Sequence, residues 1–260
     1  MIRDPDTARA PIVGLADTLT PGEGETHHHE RAQVIYAVTG TLTVITARGR
    51  WVLPPNRALG IPGGLLHRVA LGRPAELRTL YLIHTPAEWE NCAVFSVSPL
   101  LRALILAQTE APWDYPADGP EDRLAQVLLD RLATADQEPV HLPDPQDPRA
   151  RRLADHLRTA PADPRSLAAL AAEAGASLRT LERLFQSETG LSLGTWRQRA
   201  RLLVGLVALA EGAAVLDAAL QAGYDSASSF TYAFRLTFGT TPARYFSDTP
   251  EGGDFGRMPS

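Results

Sequence analysis

The chain has 260 residues, of which 44% are hydrophobic and 21% charged, a balance typical of a globular protein with room for two domains. A single cysteine excludes an internal disulfide, and the lack of a signal-peptide core or of an apolar run of roughly 18 residues predicts a cytoplasmic protein with no membrane partner. The net charge of −5 argues against nucleic acid, but residues 149–246 hold 12 Arg against 8 Asp and Glu while the remainder is acidic.

Residues 11–83 are predicted to form short strands separated by turns rich in Pro and Gly. The segments QVIYAV (33–38) and TLTVIT (41–46) flank Thr39-Gly40, a pair that favours a two-residue hairpin turn. Arg48-Gly49 can turn the chain into RWVLPP, and AELRTLYLI (75–83) is a further strand. Many short strands with close turns predict a small antiparallel β-barrel.

A histidine pattern lies within this predicted barrel. On a strand, residues two apart face the same side, so His27 and His29 are expected to point into the barrel and His28 out of it. The residues that resemble the two motifs of the cupin barrel are His27, His29, Gln33 and Gly40, followed by Pro62, Gly64 and His67. The resemblance implies that His27, His29, Gln33 and His67 converge on one site.

Two interpretations of this histidine site stay open. In metal-binding cupins two His, a Glu and a third His hold a divalent metal, and imidazole ligands suit Zn, Ni, Fe or Cu. Here Gln33 stands at the Glu position, and a neutral amide is a poorer ligand that cannot act as a general base. The same side chains therefore also fit an effector pocket, or a set that is satisfied by mutual hydrogen bonds. Further candidates for a pocket lining are Trp51, Leu53, Tyr81 and Trp89, although aromatic residues are more often core.

Beyond the predicted barrel the apolar spacing becomes helical. Residues 98–109 and 121–135 are predicted to form helices that either pack on the barrel or provide a dimer surface, since an apolar helix face needs cover. The stretch 137–148 is rich in Pro and acidic residues, which disfavours a helix and predicts a linker. A further helix is expected over 148–160, with Pro148 in its first turn.

The C-terminal part contains one pattern twice, at an offset of 49 residues. Ser177 matches Ser226, Leu181 matches Phe230, Phe185 matches Phe234, Gly190 matches Gly239 and Trp196 matches Tyr245. Each copy predicts a short helix, a tight turn, a second helix capped by Ser, and a Gly stop. This is the pattern of a helix-turn-helix unit, in which the second helix, the recognition helix, reads the DNA major groove.

The predicted recognition helices span about 178–188 and 227–237, and a helix over 193–211, roughly 28 Å long, connects them. That length is close to the ~34 Å between successive major-groove faces, so both helices can enter adjacent grooves. The candidate DNA-binding residues are Arg179, Thr180, Glu182, Arg183 and Gln186 in the first copy, and Ser226, Ala227, Ser228, Thr231, Tyr232 and Arg235 in the second. The first face is the more basic, and we expect it to carry most of the sequence choice.

Residues 160–246 resemble the AraC/XylS family of bacterial transcriptional regulators, through SLAALAAEAGASLRTLERLFQSETGLSLGTWRQRARLL and VLDAALQAGYDSASSFTYAFRLTFGTTPARYF. With the cupin motifs, the whole chain is similar to members of that family that have a ligand-responsive N-terminal barrel. The resemblance implies a DNA-binding domain of seven helices. The base contacts that it implies come from Arg179, Glu182, Arg183, Ala227, Ser228, Thr231 and Tyr232, and Tyr232 stands where the family often has a basic residue.

The sequence therefore predicts an α+β multidomain fold, with an N-terminal antiparallel cupin-like β-barrel before an all-α domain that contains two helix-turn-helix units. The expected regions are a sensor barrel at 1–90, a helical segment and linker at 91–147, a DNA-binding domain at 148–248 and a flexible tail at 249–260. The expected function is sequence-specific transcriptional regulation, not catalysis, by a homodimer that binds double-stranded DNA and a small-molecule or metal effector, with RNA polymerase as a further candidate partner. The alternative is a metal-dependent cupin enzyme fused to a DNA-binding module.

Overall fold

The computed structural model describes residues 4–55, 57–86, 89, 91–135, 138 and 140–247, and the tail expected at 249–260 lies outside them. Within the described part of the chain, no helix combines the length and apolar character that crossing a membrane requires. The strands, in chain order, are β1 (Ile12–Leu19), β2 (Gly22–Glu23), β3 (Ala32–Thr39), β4 (Leu42–Thr46), β5 (Gly49–Leu53), β6 (Arg57–Ile61), β7 (His67–Leu71), β8 (Ala75–Leu82), β9 (Ala93–Ser96) and β10 (His141–Pro143).

The strands form two antiparallel five-stranded sheets that face each other. Sheet A has the order β1-β8-β3-β6-β9, and sheet B has the order β10-β5-β4-β7-β2. Alternate side chains of both sheets point inward, so that Ile35 and Leu59 of sheet A lie in one buried cluster with Val44 and Leu53 of sheet B. The predicted fold class is confirmed, and the barrel is built as two sheets rather than as one continuous closed sheet.

The hairpin expected at Thr39-Gly40 is wrong. β3 pairs with β6 and β8 in sheet A, whereas β4 pairs with β5 and β7 in sheet B. The chain therefore passes from one sheet to the other at this turn, where Gly40 has a φ of 78° and a Cβ would lie 2.7 Å from that of Ala75. A Thr-Gly pair suits such a corner as well as a hairpin, so local turn chemistry could not distinguish them.

Two helices cover the outer face of sheet A, α1 (Pro99–Glu110) and α2 (Pro120–Ala133). Leu104 and Ile105 of α1 and Leu128 of α2 join Tyr36 of β3 in a second buried cluster. The interpretation of these segments as helices packed on the barrel is confirmed, while a role in dimerisation stays a prediction. Val127 of α2 is 45% exposed and does not join this cluster.

The C-terminal region of the described chain holds seven helices, which is the expected number. They are α3 (Pro148–Thr159), α4 (Leu167–Glu173), α5 (Leu178–Thr189), α6 (Leu193–Ala210), α7 (Val215–Gln221), α8 (Ala227–Phe238) and α9 (Pro242–Ser247). α4 packs on α5 and α7 packs on α8, and the long helix α6 contacts both pairs. Because Trp196 and Leu206 of α6 are fully buried, this helix is the centre of the helical core.

The segment expected to be a linker supplies the edge strand of sheet B. β10 pairs with β5 and places Pro143 opposite Gly49, a position at which the missing N–H of proline costs little. Val140 and Leu142 lie in the same buried cluster as Trp196 of α6. The sheets and the helical region therefore share one hydrophobic core, and the predicted boundaries at 90 and 147 stay predictions.

Candidate functional sites

Helix α5 is held by local capping and by a buried apolar face. The hydroxyl of Ser177 accepts a hydrogen bond of 3.2 Å from the backbone N–H of Thr180, so it satisfies a donor at the helix start. At the other end Gly190 adopts the left-handed conformation that closes the helix. Leu181 and Phe185 are fully buried, which fixes the rotation of α5 and leaves one face to solvent.

That exposed face carries the side chains predicted for the first copy. Arg179, Glu182 and Arg183 are exposed and stand at helical spacing on one side of α5. Thr180 is half-buried and its hydroxyl lies 2.9 Å from that of Ser177. Gln186 is exposed, but its amide donates to the carbonyl oxygen of Gly190 at 3.3 Å, so it also helps to close the helix.

Helix α8 repeats this construction with an aromatic core. The hydroxyl of Ser226 accepts a hydrogen bond of 3.2 Å from the N–H of Ser229, and Phe230 and Phe234 are fully buried. Gly205 of α6 allows α8 to approach, because a Cβ there would lie 2.5 Å from the Phe230 ring. Sequence reasoning missed the role of Gly205, which depends on a contact between distant segments.

The outward face of α8 is mostly uncharged. Ser228, Tyr232 and Arg235 are exposed, while Ala227 and Thr231 are half-buried. With Thr241 these five residues line a shallow groove of about 430 Å³. One turn beyond Tyr232, which is 68% exposed, Leu236 is 67% exposed, and sequence reasoning did not include it because a leucine at this spacing fits the core equally well.

The arginines of the two recognition helices differ from those of the remainder of the helical region in whether they have a partner. Arg149, Arg158 and Arg165 form ion pairs with neighbouring carboxylates, and other arginines of the region donate to backbone carbonyl oxygens. Arg179, Arg183 and Arg235 form no hydrogen bond or ion pair with the described residues. These three cations are therefore free to bind an anionic partner.

The connecting helix α6 sets the distance between the two units. Its 18 residues correspond to about 27 Å at 1.5 Å per residue, in agreement with the length expected from the sequence. Its first turn is capped by Ser192, and its body is clamped between the two helix pairs. The two exposed faces are thus carried on one rigid element.

In the sensor region, three of the four predicted residues come together as a cluster of rings. His27 and His67 form an isolated antiparallel bridge, and their ring centroids lie 4.5 Å apart. The His29 ring lies 5.2 Å from that of His27 and 6.2 Å from that of His67. His28 instead approaches Glu30, with a 3.7 Å separation between Nε2 and the carboxylate. His27 and His29 thus lie on one side of the chain, and their direction into the barrel stays a prediction.

The histidines of this cluster are oriented by backbone carbonyl groups. Nδ1 of His27 hydrogen-bonds the carbonyl oxygen of Glu25 at 2.9 Å, and Nδ1 of His67 does the same with Leu65 at 2.8 Å. Each Nδ1 therefore carries the proton and leaves Nε2 as an acceptor. Burial lowers the pKa of His67 to about 4 and also lowers that of His29, so both rings are neutral at pH 7.

A cavity of about 590 Å³ opens between the two sheets beside this cluster. Gln33 and His27 lie in its wall, and Gln33 hydrogen-bonds Tyr81. The pKa of Tyr81 is raised to about 12, first by burial and then by the Asp17 carboxylate. Tyr81 is thus a lining residue, whereas Trp89 packs in the core. Sequence reasoning missed Asp17, because only the pairing of β1 with β8 shows that it borders the cavity.

Two buried polar atoms of this site lack a partner. Gln33 and His67 are 5% and 2% exposed, and within the described residues neither Oε1 of Gln33 nor Nε2 of His67 forms a hydrogen bond. The described residues also contain no group of three or more His, Cys, Asp and Glu side chains placed to hold a metal ion. As arranged, the cluster is a set of hydrogen-bond acceptors rather than a formed ligand set.

Comparison with known proteins gives a consistent picture. A family model described as a helix-turn-helix domain matches residues 170–248. The HTH-type transcriptional regulator NimR of Escherichia coli K12 is 34% identical over 222 residues, which are 85% of this chain and 81% of that protein. The HTH-type transcriptional regulator RipA of Corynebacterium glutamicum is 31% identical over 177 residues, or 68% of this chain and 47% of that protein. The right origin-binding protein of E. coli K12 is 42% identical over 97 residues, or 37% of this chain and 33% of that protein.

Proposed function

The chain belongs to the AraC-type family of helix-turn-helix transcriptional regulators, and from this premise we propose that it reads an asymmetric DNA site with both α5 and α8 under the control of a small molecule bound between its sheets. It is a DNA-binding regulator and not an enzyme. The observation that carries the two-helix proposal is the pair of capped helices on either side of α6, each with an exposed polar face.

Charge supports the assignment of these faces to DNA. Arg179, Arg183 and Arg235 stand unpaired on α5 and α8 within the described residues, while other arginines of the region are neutralised or bound to the backbone. Arginine can bind guanine with two hydrogen bonds and can also contact phosphate. The first face, with two Arg and one Glu, supplies most of the hydrogen-bonding readout.

The effector proposal rests on the cavity between the sheets and on its contacts with the helices. Cavity-lining strands β3 and β8 belong to sheet A, and β7 belongs to sheet B. Sheet B ends at β10, which contacts α6, and sheet A reaches α9 through Glu138. That carboxylate accepts hydrogen bonds of 2.5 Å from Nε of Arg57 and from Oγ of Ser96, and one from the hydroxyl of Tyr245.

A ligand that changes the spacing of the two sheets therefore acts on both recognition units. Sheet B bears on α6 and the first unit, and Glu138 joins sheet A to Tyr245 at the end of the second. Such a ligand shifts the population between two arrangements of sensor and DNA-binding region. The change in free energy between the arrangements is set by the difference in the ligand's affinity for them. Activation and repression are equally compatible with this scheme.

A transition metal at His27, His29 and His67 stays a prediction. Neutral imidazole nitrogens suit Zn, Ni, Fe or Cu, but the described side chains do not form a ligand set as they stand. Elemental analysis of the purified chain, with a His67→Ala variant as control, measures this directly. Stoichiometric metal that the variant loses would place a metal at the site.

Homodimerisation and contact with RNA polymerase are further parts of the proposal. The outward side of the α1–α2 pair offers exposed Leu100 and Val127, and these are the residues to change. Sedimentation equilibrium of the wild type and of Leu100→Glu tests the dimer. A wild-type chain that remains a monomer at micromolar concentration contradicts it.

Selection of bound sequences from random duplex DNA tests the proposed function. The purified full-length chain should enrich two different boxes about one helical turn apart, because α5 and α8 enter successive major grooves. Enrichment of a single box would remove α8 from the readout. No enrichment above the starting pool would overturn sequence-specific binding altogether.

A further inference from the structure

We propose that the cavity between the sheets takes a small organic cation, an amine whose ammonium group is directed at Gln33 and the histidine cluster and whose apolar part lies along the sheets. This inference rests on the proposed function, since it names the class of effector for the same cavity. Three independent features of the cavity support it: the hydrogen-bond acceptors at Gln33 and the histidines, the charge of its rim, and the character of its walls.

The wall of the cavity presents acceptors that lack donors. Gln33 lies in this wall and its buried Oε1 has no hydrogen-bond partner within the described residues. Nε2 of His67, which lies outside the lining but whose ring is 4.5 Å from that of the lining residue His27, also has none. His27 contributes a third acceptor, because its Nδ1 is already used by the carbonyl oxygen of Glu25. A buried acceptor without a donor destabilises the folded chain. A ligand that brings several N–H donors satisfies these acceptors, whereas a carboxylate brings none.

The rim of the cavity is acidic. Asp17, Glu23 and Glu25 lie in its lining, in which the described residues include no Arg or Lys. Arg68 of β7 neutralises Glu23, but Asp17 and Glu25 form no ion pair with the described residues. The field of the rim therefore favours a cation and disfavours an anion.

The walls of the cavity are apolar and match the apolar part of the proposed ligand. Leu19, Ile35, Leu71 and Leu77 line the cavity together with Val69. The volume of about 590 Å³ lies in the range of small-molecule sites. A short aryl or alkyl chain attached to the ammonium group buries its surface there, while an inorganic cation leaves these side chains without a partner.

Matched ligands that differ only in charge test the proposal on the full-length chain. Calorimetric titration with 2-phenylethylamine and with 3-phenylpropionate, and with hexylamine and heptanoate, compares the same apolar groups. We expect each amine to bind at least tenfold more tightly than its carboxylate counterpart. Equal binding within each pair, or tighter binding of the carboxylates, would overturn the proposal.

Substitutions in the cavity lining test which side chain binds the ammonium group. Gln33→Leu should weaken amine binding about tenfold, and Gln33→Glu should strengthen it because it places a carboxylate at the same position. His28→Ala is the matched control, since His28 points away from the cavity, and it should bind amines like the wild type. Thermal unfolding of each variant shows whether the fold is kept, and Gln33→Glu still tests the proposal if Gln33→Leu does not fold.

Two further outcomes are informative. A response to ZnCl₂ or NiCl₂ that chelator reverses, with no response to amines, would replace the organic cation with a metal and overturn the proposal. Titrations on the DNA site obtained by selection separate this failure from that of the proposed function. If the chain binds its selected DNA but ignores every amine, the ligand class is wrong while DNA recognition stands; if selection itself fails, the proposed function falls.

Discussion

The indole Nε1–H of Trp196 donates a hydrogen bond of 2.7 Å to the carbonyl oxygen of Pro143. Trp196 lies in the first turns of α6, and Pro143 ends the strand that completes sheet B. The connecting helix of the DNA-binding region is thus fixed to the sensor by a directional, partly buried contact. Nearby, the guanidinium of Arg199 donates to the carbonyl oxygen of His141 at 3.3 Å, so two of the three residues of β10 bind α6.

Trp196→Phe should weaken the link between sensor and DNA-binding region while most of the packing is kept. The substitution removes the hydrogen bond and leaves the Pro143 carbonyl oxygen unpaired, at a cost of about 1 kcal/mol in the free energy of unfolding. Because the bond lies between the two regions, we also expect a smaller effect of bound ligand on DNA affinity. Urea unfolding and DNA titrations with and without ligand measure the two effects.

Trp113→Phe is the control for this experiment. Nε1 of Trp113 donates to the carbonyl oxygen of Gly14 at 3.0 Å, entirely within the sensor region. It should lower the free energy of unfolding by a similar amount and leave the effect of bound ligand on DNA affinity unchanged. An equal loss of this ligand effect in both variants would show that Trp196 acts only through overall stability.

The first recognition helix should dominate affinity for the selected site. Arg183 is exposed and unpaired within the described residues, and Arg183→Ala is expected to weaken specific binding by roughly 1–3 kcal/mol. Tyr232→Ala should cost less. Arg149→Ala is the matched control, because Arg149 of α3 is paired with Asp147, the N-cap residue of that helix. Fluorescence anisotropy on the selected duplex measures all three, and equal losses at Arg183 and Tyr232 would contradict the inequality of the two units.

The second recognition helix should read thymine methyl groups. Tyr232 and Leu236 expose apolar surface, and Ala227 and Thr231 add methyl groups to this side of α8. Apolar side chains of this kind contact the thymine C5-methyl group in the major groove. Replacing thymine by deoxyuridine in the box bound by α8 removes those methyl groups and should weaken binding about fourfold per buried methyl, from about 0.8 kcal/mol each. The same replacement in the box bound by α5 serves as the control, and an equal loss there would refute the distinction.

Local chemistry predicted the helical region well and the sensor only in part. The N-caps Ser177 and Ser226 act within four residues of themselves, so their sequence context was sufficient to place α5 and α8. Strand pairing is not local: Thr39-Gly40 joins two sheets instead of a hairpin, and the Pro-rich segment 137–148 supplies β10. Asp17 entered the cavity rim only through the register of β1 against β8, which no short motif encodes.

The interface between sensor and helices should also make stability sensitive to acid through His141. Its ring stacks on Trp51 at 4.3 Å. Burial, and after it the charge of Arg199 on α6, lowers the pKa of His141 to about 4, although the Asp144 carboxylate acts in the opposite direction. In the unfolded chain the group titrates near its ordinary value of about 6.5. Between these two pKa values the unfolded state binds more protons than the folded state. The contribution of His141 to the free energy of unfolding is therefore complete above about pH 6.5 and is lost as the pH falls towards 4.

His141→Phe removes this titration while it keeps a flat ring on Trp51. Around pH 5, one such group contributes a slope of up to about 1.4 kcal/mol per pH unit to the free energy of unfolding. The variant should therefore show a shallower loss of stability between pH 6.5 and 4.5 than the wild type, with the remaining slope due in part to His67, whose pKa is also lowered to about 4. Urea unfolding at half-unit pH steps measures the slopes, and NMR titration of the His141 ring gives its pKa directly. Parallel slopes in the two proteins, or a ring that titrates near pH 6.5, would show that His141 is not held neutral by the interface.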